Sequence, residues 1–244
     1  MELRAILALT LIVSLCAPGG HSRELTIKNN CPFKVWPVIL SPQVVPQIPT
    51  GFDLASKGTV SFQTPYGWLG GIIWGRTKCS ISSTTFKCET GDCGTAKLTC
   101  NNTNAIPPAS LVNLGLLGSK QGKDDYYIDL SQGFNLPVSL TPKGGSGNCS
   151  EASCPSNVNS VCPKQLAVKG SDGSVVLCKS ACVEFKTPES CCTLAYDAPN
   201  KCMPSEYTKI IGQKCPLAHS YNYEPKGKFF SCSGEPNYVI TFCP

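Results

Sequence analysis

Residues 88–100 read CETGDCGTAKLTC, which places cysteines 88, 93 and 100 within a short stretch rich in Gly and Thr. Such spacing closes small loops. The wider pattern decides what the cysteines do. The chain holds 17 cysteines in 244 residues. Its first 22 residues, MELRAILALTLIVSLCAPGGHS, combine Arg4, an apolar run over residues 5–16 and the small residues Gly20 and Ser22. That run is too short to span a bilayer, and the stretch reads as a secretory signal peptide ending before Arg23. Cys16 leaves with it. The remaining cysteines are even in number and are expected to form a framework of up to eight disulfides in an exported protein. Zinc is the competing use of cysteine. It is disfavoured because His219 is the one histidine after residue 22 and no pair of C-x-x-C units occurs. No metal or other cofactor is expected.

Outward from residues 88–100, the flanking segments alternate apolar and polar residues over short runs. ELTIKNN at 24–30 sets Leu25 and Ile27 on one face, and GTVSFQT at 58–64 does the same for Val60 and Phe62. LGGIIWGRT, YYIDLS, LPVSLTP and the closing NYVITFCP continue the pattern. KVWPVIL at 34–40 carries Pro37, which cannot donate to a ladder and predicts an edge or a bulge. Short strands punctuated by Gly and Pro predict a mainly β fold, a sandwich or barrel. Residues 155–215 differ. They are dense in cysteine, and LCKSACVEF and PSEYTKIIGQKCP predict short helices, the second capped by Ser205 or opened by Pro204. No repeat period recurs. The formal charge is +5, with lysines scattered rather than clustered, so nothing points to nucleic acid. No segment after residue 22 is expected to cross a membrane.

WGRTKC at 74–79 and CETGDCGTAKLTC, with YIDLSQGFNLP, FKTPESCCT, PSEYTKIIGQKCP, HSYNYE and ITFCP, resemble the thaumatin-like proteins, the fifth group of plant pathogenesis-related proteins. The resemblance runs over the whole expected mature chain. It implies a flattened β-sandwich core (about 23–76, 109–155 and 216–244), a small bridged loop region (about 77–108) and a cysteine-rich lobe (about 156–215), together one domain over 23–244. It also implies a pairing: Cys31 with Cys243, Cys79 with Cys88, Cys93 with Cys100, Cys149 with Cys232, Cys154 with Cys215, Cys162 with Cys178, Cys182 with Cys191, and Cys192 with Cys202. Members sent to vacuoles carry an extension beyond the final Cys-Pro, so the resemblance implies export to the cell exterior, the apoplast in a plant.

Family members have a cleft between core and lobe, lined by one arginine and four carboxylates and credited with β-1,3-glucan binding and, in some, slow hydrolysis. KDDYYIDLSQGFNLP at 123–137 marks its place. Asp125, Tyr127 and Asp129 share a strand face, and Asp124 points the other way. Asp125 and Asp129 are four residues apart, roughly 13 Å along a strand. Glycosidase carboxylates sit about 5–5.5 Å apart when retaining and about 6.5–9.5 Å when inverting. A partner for Asp129 must therefore come from another strand. At the remaining cleft positions this sequence has Asn113, Gln132, Leu217 and Ile106, all uncharged. Asp129, Asn113, Gln132 and Tyr127 are the expected binding residues. No catalytic residue is assigned.

The expected function is defence by binding, with a fungal wall β-1,3-glucan, another pathogen or membrane surface, or a protein as target, and a monomeric protein. A weak endo-β-1,3-glucanase and an inhibitor of foreign hydrolases are the alternatives. Asp92 in TGDCG is expected to hold a turn. Of Tyr126 and Tyr127, one is expected in the core. Trp36 and Trp74 are expected to be buried, and Trp68 exposed. Asn101 opens the sequon NNT and is expected to carry a glycan; Asn148, in NCS, is a poorer acceptor.

Overall fold

The computed structural model describes residues 22–65, 68–101, 107–116, 122–147, 149–224 and 228–244. The signal segment, Ile106, Asn148 and residues 102–103 of the Asn101 sequon lie outside the described residues. The strands are β1 (Arg23–Asn29), β2 (Trp36–Leu40), β3 (Thr59–Thr64), β4 (Gly71–Ser82), β5 (Thr85–Thr90), β6 (Leu111–Gly115), β7 (Lys123–Asp129), β8 (Gly133–Phe134), β9 (Val138–Lys143), β10 (Ala152–Cys154), β11 (Ala167–Lys169), β12 (Val175–Lys179), β13 (Ala218–His219), β14 (Phe230–Ser233) and β15 (Asn237–Phe242). Three short helices, α1 (Ala181–Phe185), α2 (Pro188–Cys191) and α3 (Glu206–Lys214), belong to the cysteine-rich part of the chain.

Two sheets form the core. One runs β10-β9-β15-β1-β3, and the other β13-β7-β6-β4-β2, with β14 also on β7 and β5 on β4. The alternation read in the sequence is the reason they stack. Leu25 and Ile27 of β1, and Tyr238, Ile240 and Phe242 of β15, face inward and are buried. They meet Ile73, Val112, Leu114, Tyr126 and Ile128 from the second sheet in one apolar cluster. The outward residues between them stay half-exposed. β2 is the outer strand of its path, so Pro37 withholds no donor that a neighbour needs.

A third small sheet, β11-β12-β8, ties the lobe to the core. Gly133 of β8 pairs with Lys179, and a Cβ there would stand 2.7 Å from the Cys178 carbonyl oxygen; only glycine permits that approach. Each helix is capped locally. Ser180 Oγ accepts from Val183 N, Thr187 and Ser190 form a reciprocal capping box, and Ser205 Oγ accepts from Thr208 N. Ser205, not Pro204, opens α3, and LCK of LCKSACVEF is strand, not helix.

Eight disulfides are formed: Cys31–Cys243, Cys79–Cys88, Cys93–Cys100, Cys149–Cys232, Cys154–Cys215, Cys162–Cys178, Cys182–Cys191 and Cys192–Cys202. Asp92 holds the turn in the small loop region by accepting from Cys88 N (2.6 Å) and Gly94 N (2.7 Å).

Two tryptophans depart from expectation. Trp68 is buried, not exposed: its loop folds under the core, where Ser41 Oγ accepts the indole N–H at 2.7 Å. Trp36 is only half-buried, because its ring, edge to face with Phe86 of β5, also lines an open apolar groove of about 470 Å³. Trp74 is fully buried and donates to Gly91 O.

Candidate functional site

β7 sets the site. Its pleat buries Asp124, Tyr126 and Ile128 and turns Asp125, Tyr127 and Asp129 outward. Leu111 of β6 lies on one side of Asp129 and His219 of β13 on the other. Asn113 lies opposite Tyr127, and Ile72 of β4 opposite Asn113, so the row through Tyr127 carries no charge. Just past the strand, Asp129 Oδ1 accepts from Ser131 N at 2.8 Å, a local turn bond that fixes the carboxylate. Leu217, just before β13, is exposed.

Ser131 and Gln132 then line a cleft of about 130 Å³ where the core meets the lobe. Its other walls carry the hydroxyls of Ser180, Ser190, Ser205, Thr208 and Ser220, with no acidic or basic side chain among them. Of the four expected binding residues, Gln132 lines this cleft and Asp129 is bonded to its wall. Asn113 and Tyr127 lie apart from it, on the outward face of the sheet. Asn101 is exposed at the turn after Cys100.

Three functional-site neighbours had no assigned role in the sequence: His219, Glu224 and Phe229. His219 is buried beside Asp129 in the sheet, and its Nδ1 lies 3.4 Å from Glu224 Oε2. The Glu224 side chain is 5% exposed and heavily bound. Ser220 donates to it through both N and Oγ at 2.7 Å, and Lys228 Nζ donates at 2.7 Å. Burial alone would raise its pKa, but His219, Lys228 and Ser220 together hold it down to about 2.

Tyr207 lies beneath both acids. It is buried and donates to Leu130 O at 2.7 Å. Burial, then the negative charges of Asp129 and Glu224, push its pKa well above the phenol's ordinary value, so it stays a neutral donor. Phe229 packs on Tyr127, with ring centroids 4.6 Å apart, and on His219 at 5.1 Å.

The depressed pKa of Glu224 has a measurable consequence. A carboxylate more acidic in the fold than in the unfolded chain stabilises the fold above its unfolded pKa. That stability is lost as pH falls through the folded value. The window runs from about pH 4.5 down to about 2. The contribution is of the order of 3 kcal/mol. Denaturant titrations across this window should show the loss, and Glu224→Gln should remove most of the slope. An unchanged slope would mean that other carboxylates carry it.

Among the described residues no group of three His, Cys, Asp or Glu side chains is gathered to hold a metal, and no helix is long and apolar enough to cross a membrane. The Thaumatin family model matches residues 29–244. Thaumatin-like protein 1a of Malus domestica is 47% identical over 245 residues, covering 100% of this chain and 98% of its own. A Prunus avium protein named glucan endo-1,3-beta-glucosidase is 48% identical over 241 residues, covering 98% of this chain and 97% of its own. In fold alone, the chain is similar to the GH family 64 laminaripentaose-producing beta-1,3-glucanase from Paenibacillus barengoltzii complexed with laminarihexaose. That match has a TM-score of 0.54 at 11% identity and covers 95% of this chain and 78% of the other.

Proposed function

The chain belongs to the thaumatin family, and from that premise we propose that it is a secreted defence protein that binds fungal-wall β-1,3-glucan without cleaving it. One observation carries this reading: Glu224, the other acid of the site, is bound by Ser220, Lys228 and His219 and is not free to act as the second carboxyl group for Asp129. Glycoside hydrolysis needs an acid whose pKa is raised, set against a second carboxylate. Glu224 is instead held ionised by Lys228, Ser220 and the neighbouring His219. Asp129 has one oxygen committed to Ser131 N. A cleft walled by hydroxyls suits a neutral polyol, whose hydroxyls both donate and accept. Gln132 reaches such a ligand in the cleft, and Tyr127 and Asn113 meet it on the sheet face. Export to the cell exterior accords with eight disulfides, which persist in oxidising surroundings.

The name of the Prunus avium relative favours a second reading, in which this chain also hydrolyses the glucan. One experiment separates the two. The purified protein is incubated with an insoluble linear β-1,3-glucan, and both the protein retained and the reducing ends released are measured. Retention without new reducing ends is expected. Reducing ends that appear with the wild type and vanish with Asp129→Asn would establish hydrolysis through Asp129. Protein left wholly in the supernatant would remove glucan as the partner.

A further inference from the structure

We propose that Phe229, backed by Tyr127 and His219, forms a stacking platform for the apolar face of a sugar ring in a neutral polysaccharide. The proposal rests on the glucan-binding reading above and names where on the surface the chain is gripped.

The platform follows from strand register. β14 pairs antiparallel with β7, with Phe230 opposite Tyr126. Phe230 therefore turns inward and stacks on the buried Tyr126 ring, centroids 5.8 Å apart. The pleat then sends Phe229, its neighbour, to the opposite face beside the outward Tyr127. Tyr127 and His219 also touch edge to face, at 6.1 Å, so three rings from three segments support one another. The inner two are partly or fully covered. Phe229 is not: it is 54% exposed. An exposed phenyl ring braced from behind is held in one orientation and offers its apolar surface outward, the arrangement that loses least entropy when a flat ligand stacks on it.

The surroundings fix the chemistry of the ligand. Lys228, next to Phe229, is paired with Glu224 at 2.7 Å, and Asp125 and Asp129 share the outward face of Tyr127. The row inland from Tyr127 runs through Asn113 to Ile72 and is uncharged. Asn113 Nδ2 is buried there without a hydrogen-bond partner, an amide that the fold itself does not use. On the far side of Asp129 begins the hydroxyl-walled cleft. An apolar ring face beside carboxylates and amides that take hydrogen bonds from hydroxyls matches a neutral hexose, which has one C–H-rich face and an equatorial rim of hydroxyls. It does not match an acidic glycan, which Asp125 and Asp129 would repel.

The test uses soluble linear β-1,3-glucan and the disulfide-intact protein, with binding isotherms for wild type, Phe229→Ala and Phe229→Trp. Phe229→Ala is expected to weaken binding roughly tenfold, with an unfolding midpoint close to wild type because the ring is largely in solvent. Phe229→Trp is expected to restore binding, and the introduced indole's emission should shift to the blue as glucan covers it. Wild-type binding that Phe229→Ala leaves unchanged would overturn the platform alone. Wild-type protein that does not bind the glucan would overturn both the platform and the reading on which it rests.

Discussion

Replacing both Cys31 and Cys243 with alanine is expected to lower the unfolding midpoint by about 10 °C. Cys31 follows β1 and Cys243 follows β15, and these two strands pair in parallel inside the five-stranded sheet. Their bridge spans 212 residues of sequence, the longest of the eight separations. Two strands so distant in the chain come together in the unfolded ensemble only at a large cost in loop-closure entropy, and the bridge removes it. The chain-entropy model puts a loop of this size near 5 kcal/mol, and native disulfides typically contribute about 2–5 kcal/mol. The other seven bridges already restrict parts of the enclosed chain, so the middle of that range is expected. Cys31 is also fully buried, so its loss adds a packing defect. Scanning calorimetry of the two proteins at one scan rate decides the matter. A fall of less than about 3 °C would mean that the parallel β1–β15 pairing holds without its clamp.

The second large effect lies between the two sheets, where Asp124 of β7 meets the start of β1 and of β15. Asp124 is 2% exposed and pairs with the Arg23 guanidinium, and Tyr238 Oη donates to the same carboxylate oxygen at 2.8 Å. Burial and the Asp124 charge together push the Tyr238 pKa far above that of a free phenol, so it stays a donor at any working pH. Asp124→Ala would leave a guanidinium that is 9% exposed without its counter-charge and a buried hydroxyl without an acceptor. Breaking a buried pair from one side costs about 3–5 kcal/mol. Removing both charges together, as Arg23→Met with Asp124→Leu, is expected to cost much less, because no charge is stranded. Urea unfolding of both single variants and the double variant yields the coupling. A double variant as unstable as the singles in sum would show that packing, not charge, sets the loss.

Both expectations concern residues that the sequence marked only partly. Asp124 was placed on the inward face of its strand by alternation, but its partners, Arg23 and Tyr238, come from strands at opposite ends of the chain. The same holds at the site. Asp129 could be singled out from KDDYYIDLSQGFNLP, and the pleat alone showed that no second acid of that strand was near enough to pair with it. Glu224 could not be found that way. It is held by Ser220 and lies against His219, which reaches Asp129 because β13 pairs in parallel with β7, a contact that no local pattern encodes. Phe229 and Phe230 are adjacent and identical in type, and only the β14 register turns one inward and the other to solvent. Trp68 read as a loop residue and lies in the core, because a loop can fold under a sheet when a hydroxyl such as that of Ser41 is there to take the indole N–H.

The sequence by itself determined the mainly β class, the family resemblance through its cysteine-bearing motifs, the edge position implied by Pro37 and the uncharged residue types at 113, 132 and 217. Each depends on residue type or on spacing within one strand or turn, where sterics and the two-residue pleat act locally. Only the tertiary structure decided which charges are neutralised, which aromatic ring faces water and where the hydroxyl-walled cleft lies. Those properties arise from contacts between residues far apart in the chain, set by strand register and by the docking of lobe on core.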